Sequence, residues 1–160
     1  MEPMTITIKK IEWQEEAAGW LEPLLVDLVS LALTSKQAHW HVTGPNFLPV
    51  HEQLDEIVSD LRAWSDLVAE RAVTLGVAVD ARPSMIGDAN VLKDFPAGFV
   101  ADHHVIAEVA DQLADVIART RKTLAPLGDV DPVSQDLVIE ILRGLEHHHW
   151  MLLAQTTTTK

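Results

Sequence analysis

Four side chains of metal-ligand type stand in mirror order along one helical stretch: His51, Asp55, Asp66 and Glu70. Within each pair the spacing is i, i+4, which stacks the two side chains one turn apart on one helix face. Asp55 and Asp66 are eleven positions apart, a net rotation of roughly 20° at about 100° per residue, so both pairs share that face. The same eleven positions rise about 16 Å along the axis, against a metal–ligand bond of roughly 2 Å. One copy of the helix therefore cannot close a single site with all four. Two antiparallel copies can. The crossed pairs, 51 with 70 and 55 with 66, share one centre between Asp60 and Leu61, and a two-fold axis there lays each pair against the other. Two identical sites per dimer result, with pair midpoints roughly 22 Å apart. The sequence implies a metal site shared between subunits.

Ligands so placed need long helices, and the chain reads as all-α with almost no strand signal. The first helix runs from about Gln14 to Val42, with Leu21, Leu24, Leu25, Leu28 and Ala32 at three- and four-residue steps, and Gly44-Pro45 ends it. Asn46 is the expected N-cap of the second, which accepts Pro49 in its first turn and stops at Gly76. Residues 77–96 hold two prolines and a glycine, too broken for a long helix, with room for a short turn near Ser84–Ala89. The third helix spans about Ala97 to Leu124 and is expected to end before Pro126. Asp131 caps the fourth, Pro132 fits its first position, and it runs to about Ala154. Four such helices with a long middle connection read as a four-helix bundle with a crossover between helices 2 and 3. At 160 residues the chain suits a single domain, with residues 1–13 as an N-terminal tail and 155–160 as a frayed C-terminal one.

Composition narrows the chemistry. The chain has no cysteine, which excludes disulfides, thiolate catalysis and cysteine-ligated zinc or iron–sulfur clusters. No apolar run reads as reaching the roughly 18 residues of a membrane span, and the start MEPMTITIKKIEW is unlike a signal peptide; a soluble, cytoplasmic protein is the expectation. A formal net charge of −12 argues for cations and against phosphate backbones as partners. Lys9, Lys10 and the terminal TTTTK are thin material for a nucleic-acid arm.

Three blocks carry a family resemblance: KQAHWHVTGPNF at the end of the first helix, then VHEQLDE, then SDLVAERAVTLG. With a histidine twelve residues after that of the KQAHW block, and an AER triplet following the aspartates, the stretch from Ser35 to Gly76 resembles the Dps family, the small ferritin relatives named for DNA protection in starved cells. The likeness extends to DPVSQDL and to the tryptophan late in the fourth helix. It implies a ferritin-like bundle and a hollow shell of twelve subunits that oxidises ferrous iron and stores the product. Carried over by position, His39, His51 and Asp55 match the ligands given by one subunit, and Asp66 and Glu70 those given by its two-fold mate. The dyad found from spacing alone agrees. The resemblance further implies two irons per site, Fe2+ and hydrogen peroxide as substrates with peroxide favoured over oxygen, and a tryptophan, Trp40, beside the irons where it can quench stray radicals as well as pack an interface. His41 departs from the asparagine common in the family and is expected to be exposed.

The residue types suit that chemistry. Imidazole and carboxylate are the ligands of non-haem iron and leave positions open for an oxidant. Carboxylates offset the charge added as Fe2+ becomes Fe3+. A single i, i+4 acid pair is ordinarily a solvated helix face; two pairs related by a dyad, with His39, reverse those odds. Glu146 and His149 form the lone Glu-x-x-His, but an in-bundle site needs two copies on different helices. His147, His148 and His149 point about 100° apart in succession and read as solvated, as do His103 and His104. Trp64 and Trp150 read as core. Asp131, Asp136 and Glu140 sit at the start of the fourth helix, where related shells form acidic three-fold pores; capping and dipole compensation are the plainer roles. Arg71, next to Glu70, stands where it can pair across an interface.

Three functions compete on this reading. The first is an iron-oxidising, iron-storing shell. The second is a hydrolase of amides or esters using the same two metals to activate water. The third is a DNA-compacting protein, against which a dodecamer of charge about −144, twelve times the −12 of one chain, would repel a duplex.

Overall fold

Leucines and branched residues recurring at helical steps give each long segment one apolar stripe, and burying those stripes against each other makes the bundle. The computed structural model describes residues 11–156. In order, the elements are α1 (Glu12–His41), β1 (Val42–Thr43), α2 (Phe47–Thr74), α3 (Pro83–Ala89), β2 (Val100–Ala101), α4 (Asp102–Val130) and α5 (Pro132–Leu153). The all-α bundle with a crossover after the second long helix is as expected, down to the short helix α3 within that crossover. α1 packs along α2 and α4 along α5, and α1 against α4 joins the two hairpins. Leu21, Leu28, Leu54, Leu61, Leu113 and Leu145 are wholly buried between them, each burial contributing roughly 1.5–3 kcal/mol. The crossover returns beside the α1–α2 turn, where Val42 and Thr43 pair in parallel with Val100 and Ala101.

Several boundaries differ from expectation, each for a local reason. α1 starts at Glu12, so residues 12 and 13 of the expected tail are helical; Lys9 and Lys10 lie outside the described residues. Asn46 does not cap α2 with its side chain. Its backbone N–H instead donates to the buried carboxylate of Asp102 at 2.7 Å. α4 runs through Pro126 to Val130 instead of stopping before it. Buried Leu127 anchors the extra turn, the Gln135 amide donates to the Leu124 carbonyl at 2.9 Å, and the Asp131 N–H closes on the Leu127 carbonyl at 2.7 Å. These contacts outweigh the missing proline donor. At the other end, Gln155 bonds Gln53 at 2.6 Å, and residues 157–160 of the expected frayed tail lie outside the described ones.

α1 also amends the reading of membrane spans. It contains a window long and apolar enough to cross a bilayer by composition, and 61% of that window is inside the bundle. Its apolarity is that of a core helix. Trp64 is half-buried, its ring lying over Gly144 of α5. Trp150, expected in the core, is 59% exposed; it follows the core stripe of Leu145, His148 and Leu152 out of phase, and its ring meets only the exposed His147 among the aromatic groups described, at 5.6 Å.

Candidate metal centre

The α1–α2 turn folds the two KQAHW and VHEQ blocks onto each other, because Gly44 takes a φ of +127° that a side chain resists and Asp102 fills the space a Cβ would need. That turn brings His39 and His51 face to face. Their rings stack at 3.6 Å with 20° between planes, and the hydrogen bonding is reciprocal. His39 Nδ1 meets the His51 carbonyl at 2.8 Å, and His51 Nδ1 meets the His39 carbonyl at 2.9 Å. A carbonyl can only accept, so each ring donates from Nδ1, and in the neutral tautomer that makes this bond the Nε2 lone pair is free. Such a backbone bond to the far nitrogen is how proteins orient imidazoles for a metal. His39 is buried and His51 half-buried, with Phe47 against the latter at 5.0 Å.

Asp55 completes this half. Its carboxylate lies 3.5 Å from His39 Nδ1 and accepts a charged hydrogen bond from Lys36. The hydrogen bond from the Lys36 ammonium, against desolvation and with the nearby imidazoles adding to it, holds the Asp55 pKa below its ordinary value. Asp55 is therefore an anion at neutral pH with a displaceable cation on it. Asp66 and Glu70 follow on the exposed face of α2, about three and four turns beyond. Leu48 and Val73 share that face, each 57% exposed, and their midpoint is again the point between Asp60 and Leu61. Among the described residues of one chain, no three His, Cys, Asp or Glu side chains converge to hold a metal ion.

The other candidates separate. Trp40, beside His39, is 61% exposed. His41 is half-buried, bonded to the Gln37 carbonyl of its own helix at 2.9 Å, not simply exposed. His103 and His104 are exposed neighbours with rings 4.2 Å apart, and His103 leans on Asp102. Glu146 pairs with Arg121, so the Glu-x-x-His spacing does not bring it to His149. His148 corrects the solvated reading of its triplet: it is buried and bonds Asp60 at 2.8 Å. Asp136 and Glu140 are exposed on α5, whereas Asp131 is buried and turned inward. There it caps the Val133 N–H and pairs with Arg71 at 2.6 Å. Burial pushes the Asp131 carboxyl up, but Arg71, the Ser134 hydroxyl and the Val133 N–H together hold its pKa below the usual value. Arg71 thus pairs within its own subunit. The sequence signal for this was available, since an N-cap aspartate points into its own helix.

The chain is similar to known proteins along most of its length. Residues 20–160 match the ferritin-like domain family. The DNA protection during starvation protein of Mycolicibacterium smegmatis is 36% identical over 139 residues, covering 87% of this chain and 76% of that protein. The fine tangled pili major subunit of Haemophilus ducreyi is 34% identical over 134 residues, 84% and 71% of the two chains. Among solved structures, Dps from Microbacterium arborescens in the high iron form superposes with a TM-score of 0.88 at 33% identity, over 94% of this chain and 99% of that one. The Dps92 structure from Deinococcus radiodurans gives 0.89 at 30% identity, over 93% and 90%.

Proposed function

This chain belongs to the ferritin-like superfamily and within it to the Dps family, and on that premise we propose that it oxidises Fe2+ at two-fold-shared sites and stores the ferric product. Iron storage and oxidative protection are the family's general function, and a homo-oligomer its general form. The finer reading concerns the site. His39, His51 and Asp55 of one subunit face Asp66 and Glu70 of its mate, and together they hold two ferrous ions as substrate. Each Fe2+ gives one electron, hydrogen peroxide takes both as its O–O bond breaks, and with two protons it leaves as two waters. No hydroxyl radical is released in such a two-electron step. Trp40 stands next to the site as a radical sink, and the exposed Asp136 and Glu140 of α5 are placed to attract cations to a pore. Asp131 has no part in that role.

The observation that carries this reading is the reciprocal bond between His39 and His51. It fixes two buried or half-buried imidazoles with Nδ1 donating, so that their neutral form presents Nε2 as the ligand atom, beside a carboxylate whose pKa is held low. That is a half-site made for a cation, on a helix whose exposed acids repeat about the same centre. Excess Fe2+ with hydrogen peroxide, followed by size-exclusion with protein and ferric absorbance read together, tests it. Ferric iron should elute with a particle near 212 kDa, twelve times 17.7 kDa, and Asp66→Ala with Glu70→Ala should lose fast oxidation. Precipitated iron with a protein eluting as a dimer would sink the storage reading. Hydrolysis by the same two metals is separated by comparing zinc-loaded with iron-loaded protein on amide and ester substrates, where no turnover is expected. Cytoplasmic residence follows from the chemistry only as the compartment where ferrous iron and peroxide meet.

A further inference from the structure

We infer that Arg71 is a positioning residue for the two carboxylates the chain offers across the two-fold axis. The inference rests on the shared-site reading above. α2 and α5 run antiparallel, and their main chains come close at few points. They are joined by side-chain pegs instead: Gln53 on Gln155, Asp60 on His148, the Trp64 ring over Gly144, and Arg71 on the corner formed by Asp131 and Ser134. The last differs in kind. Arg71 Nε donates to Ser134 Oγ at 2.9 Å and Nη2 to Asp131 Oδ2 at 2.6 Å, while the Ser134 hydroxyl donates to that same Asp131 oxygen. The Asp131 and Ser134 side chains are nearly or fully buried, and Asp131 is itself fixed by the cap at Val133 and by its N–H on Leu127. A planar guanidinium held on two acceptors fixes direction as well as distance.

Direction is what the neighbouring carboxylates need. Arg71 follows Glu70 by about 100° of helix rotation, so drawing Arg71 inward turns Glu70 to the outside. α2 ends at Thr74, one turn beyond, where an untethered helix frays by default. Asp66 and Glu70 therefore sit between the Trp64 contact and the Arg71 fork, the fork being, among the described residues, the one side-chain polar anchor from the last two turns to another helix. A ligand that must meet ions held by another subunit has to be presented at a fixed angle, and a loss of about half an ångström is costly there.

Calorimetric titration of the assembled protein with Co2+ alone, a redox-inert probe of the same ligands, tests this. Arg71→Ala should weaken Co2+ binding about tenfold, within the range typical when a residue supporting a ligand is removed. Arg71→Lys should recover part of that, keeping charge without the fork. His148→Gln, which loosens α2 from α5 away from Glu70, should lower thermal stability and leave affinity unchanged. If Arg71→Ala does not assemble, Ser134→Ala removes one arm of the fork and should weaken binding a few-fold. Unchanged affinity in the Arg71 and Ser134 variants overturns the inference, and so does an equal loss in His148→Gln. The Glu70→Ala protein keeps the two readings apart: if it binds Co2+ normally, the shared site itself is wrong; if it loses binding while Arg71→Ala keeps it, only the positioning role fails.

Discussion

At the scale of single residues, the Lys36–Asp55 contact sets what a ferrous ion would have to displace at the proposed site. Lys36→Ala removes the competing ammonium, so the first Co2+ should bind a few-fold more tightly. The gain should shrink as salt is added, because exposed ion pairs are weak and screened; a loss of affinity would show that Lys36 supports the site instead. Asp131 gives the acid limb of stability. Its folded pKa lies below 3.8, so the unfolded chain binds a proton first as pH falls, and the stabilisation present above about pH 5 is lost on passing through the folded value. Asp131→Asn should cost about 2 kcal/mol at neutral pH, leaving a guanidinium half-answered, and its stability should decline less steeply than the wild type below pH 4 in urea titrations. That His39, His51 and Asp55 come together was legible in the sequence. The Lys36 and His148 partnerships were not, since each joins side chains on different helices whose relative rotation only packing decides.

Between elements, close approach is the governing quantity. A Cβ on Gly144 would lie 2.2 Å from the Trp64 ring. Alanine is a better helix former than glycine by about 1 kcal/mol, but displacing a half-buried indole costs typically 1–3 kcal/mol, so Gly144→Ala should destabilise by about 1 kcal/mol in urea unfolding. In a Trp64→Leu background the same change should stabilise, and persistence of the penalty there would rule out the contact as its cause. The bundle, its crossover and the short α3 followed from apolar periodicity and from glycine and proline as punctuation. The end of α4 did not. The proline rule is local, and at Pro126 it loses to one buried leucine and a glutamine that supplies a donor from the next helix. Trp150 failed for a related reason: hydrophobicity alone does not say which side of a helix the chain's own core lies on.

For the whole molecule, the exposed face of α2 makes a symmetry claim that can be checked without iron. Leu48 and Val73 are equally exposed and equidistant from the proposed axis, so in an antiparallel pair each meets the other's counterpart. Leu48→Glu should weaken the dimer by analytical ultracentrifugation, and Leu48→Glu with Val73→Lys should restore much of it, while Leu48→Glu with a lysine at the exposed Leu67 should not. A low-salt gel shift should show no retarded duplex, given a formal charge of −12 per chain. The reciprocal bonding of His39 and His51 also has a bearing on timing. A newly made chain already holds its imidazoles stacked, yet the carboxylate beside them is occupied by a lysine, and on the proposed site the remaining oxygens would arrive on another copy. On the proposed shared site, iron chemistry would be licensed by assembly: a solitary subunit would be silent, and the oxidant and the metal would be brought together only once there is a partner, and with it a cavity, to receive what they make.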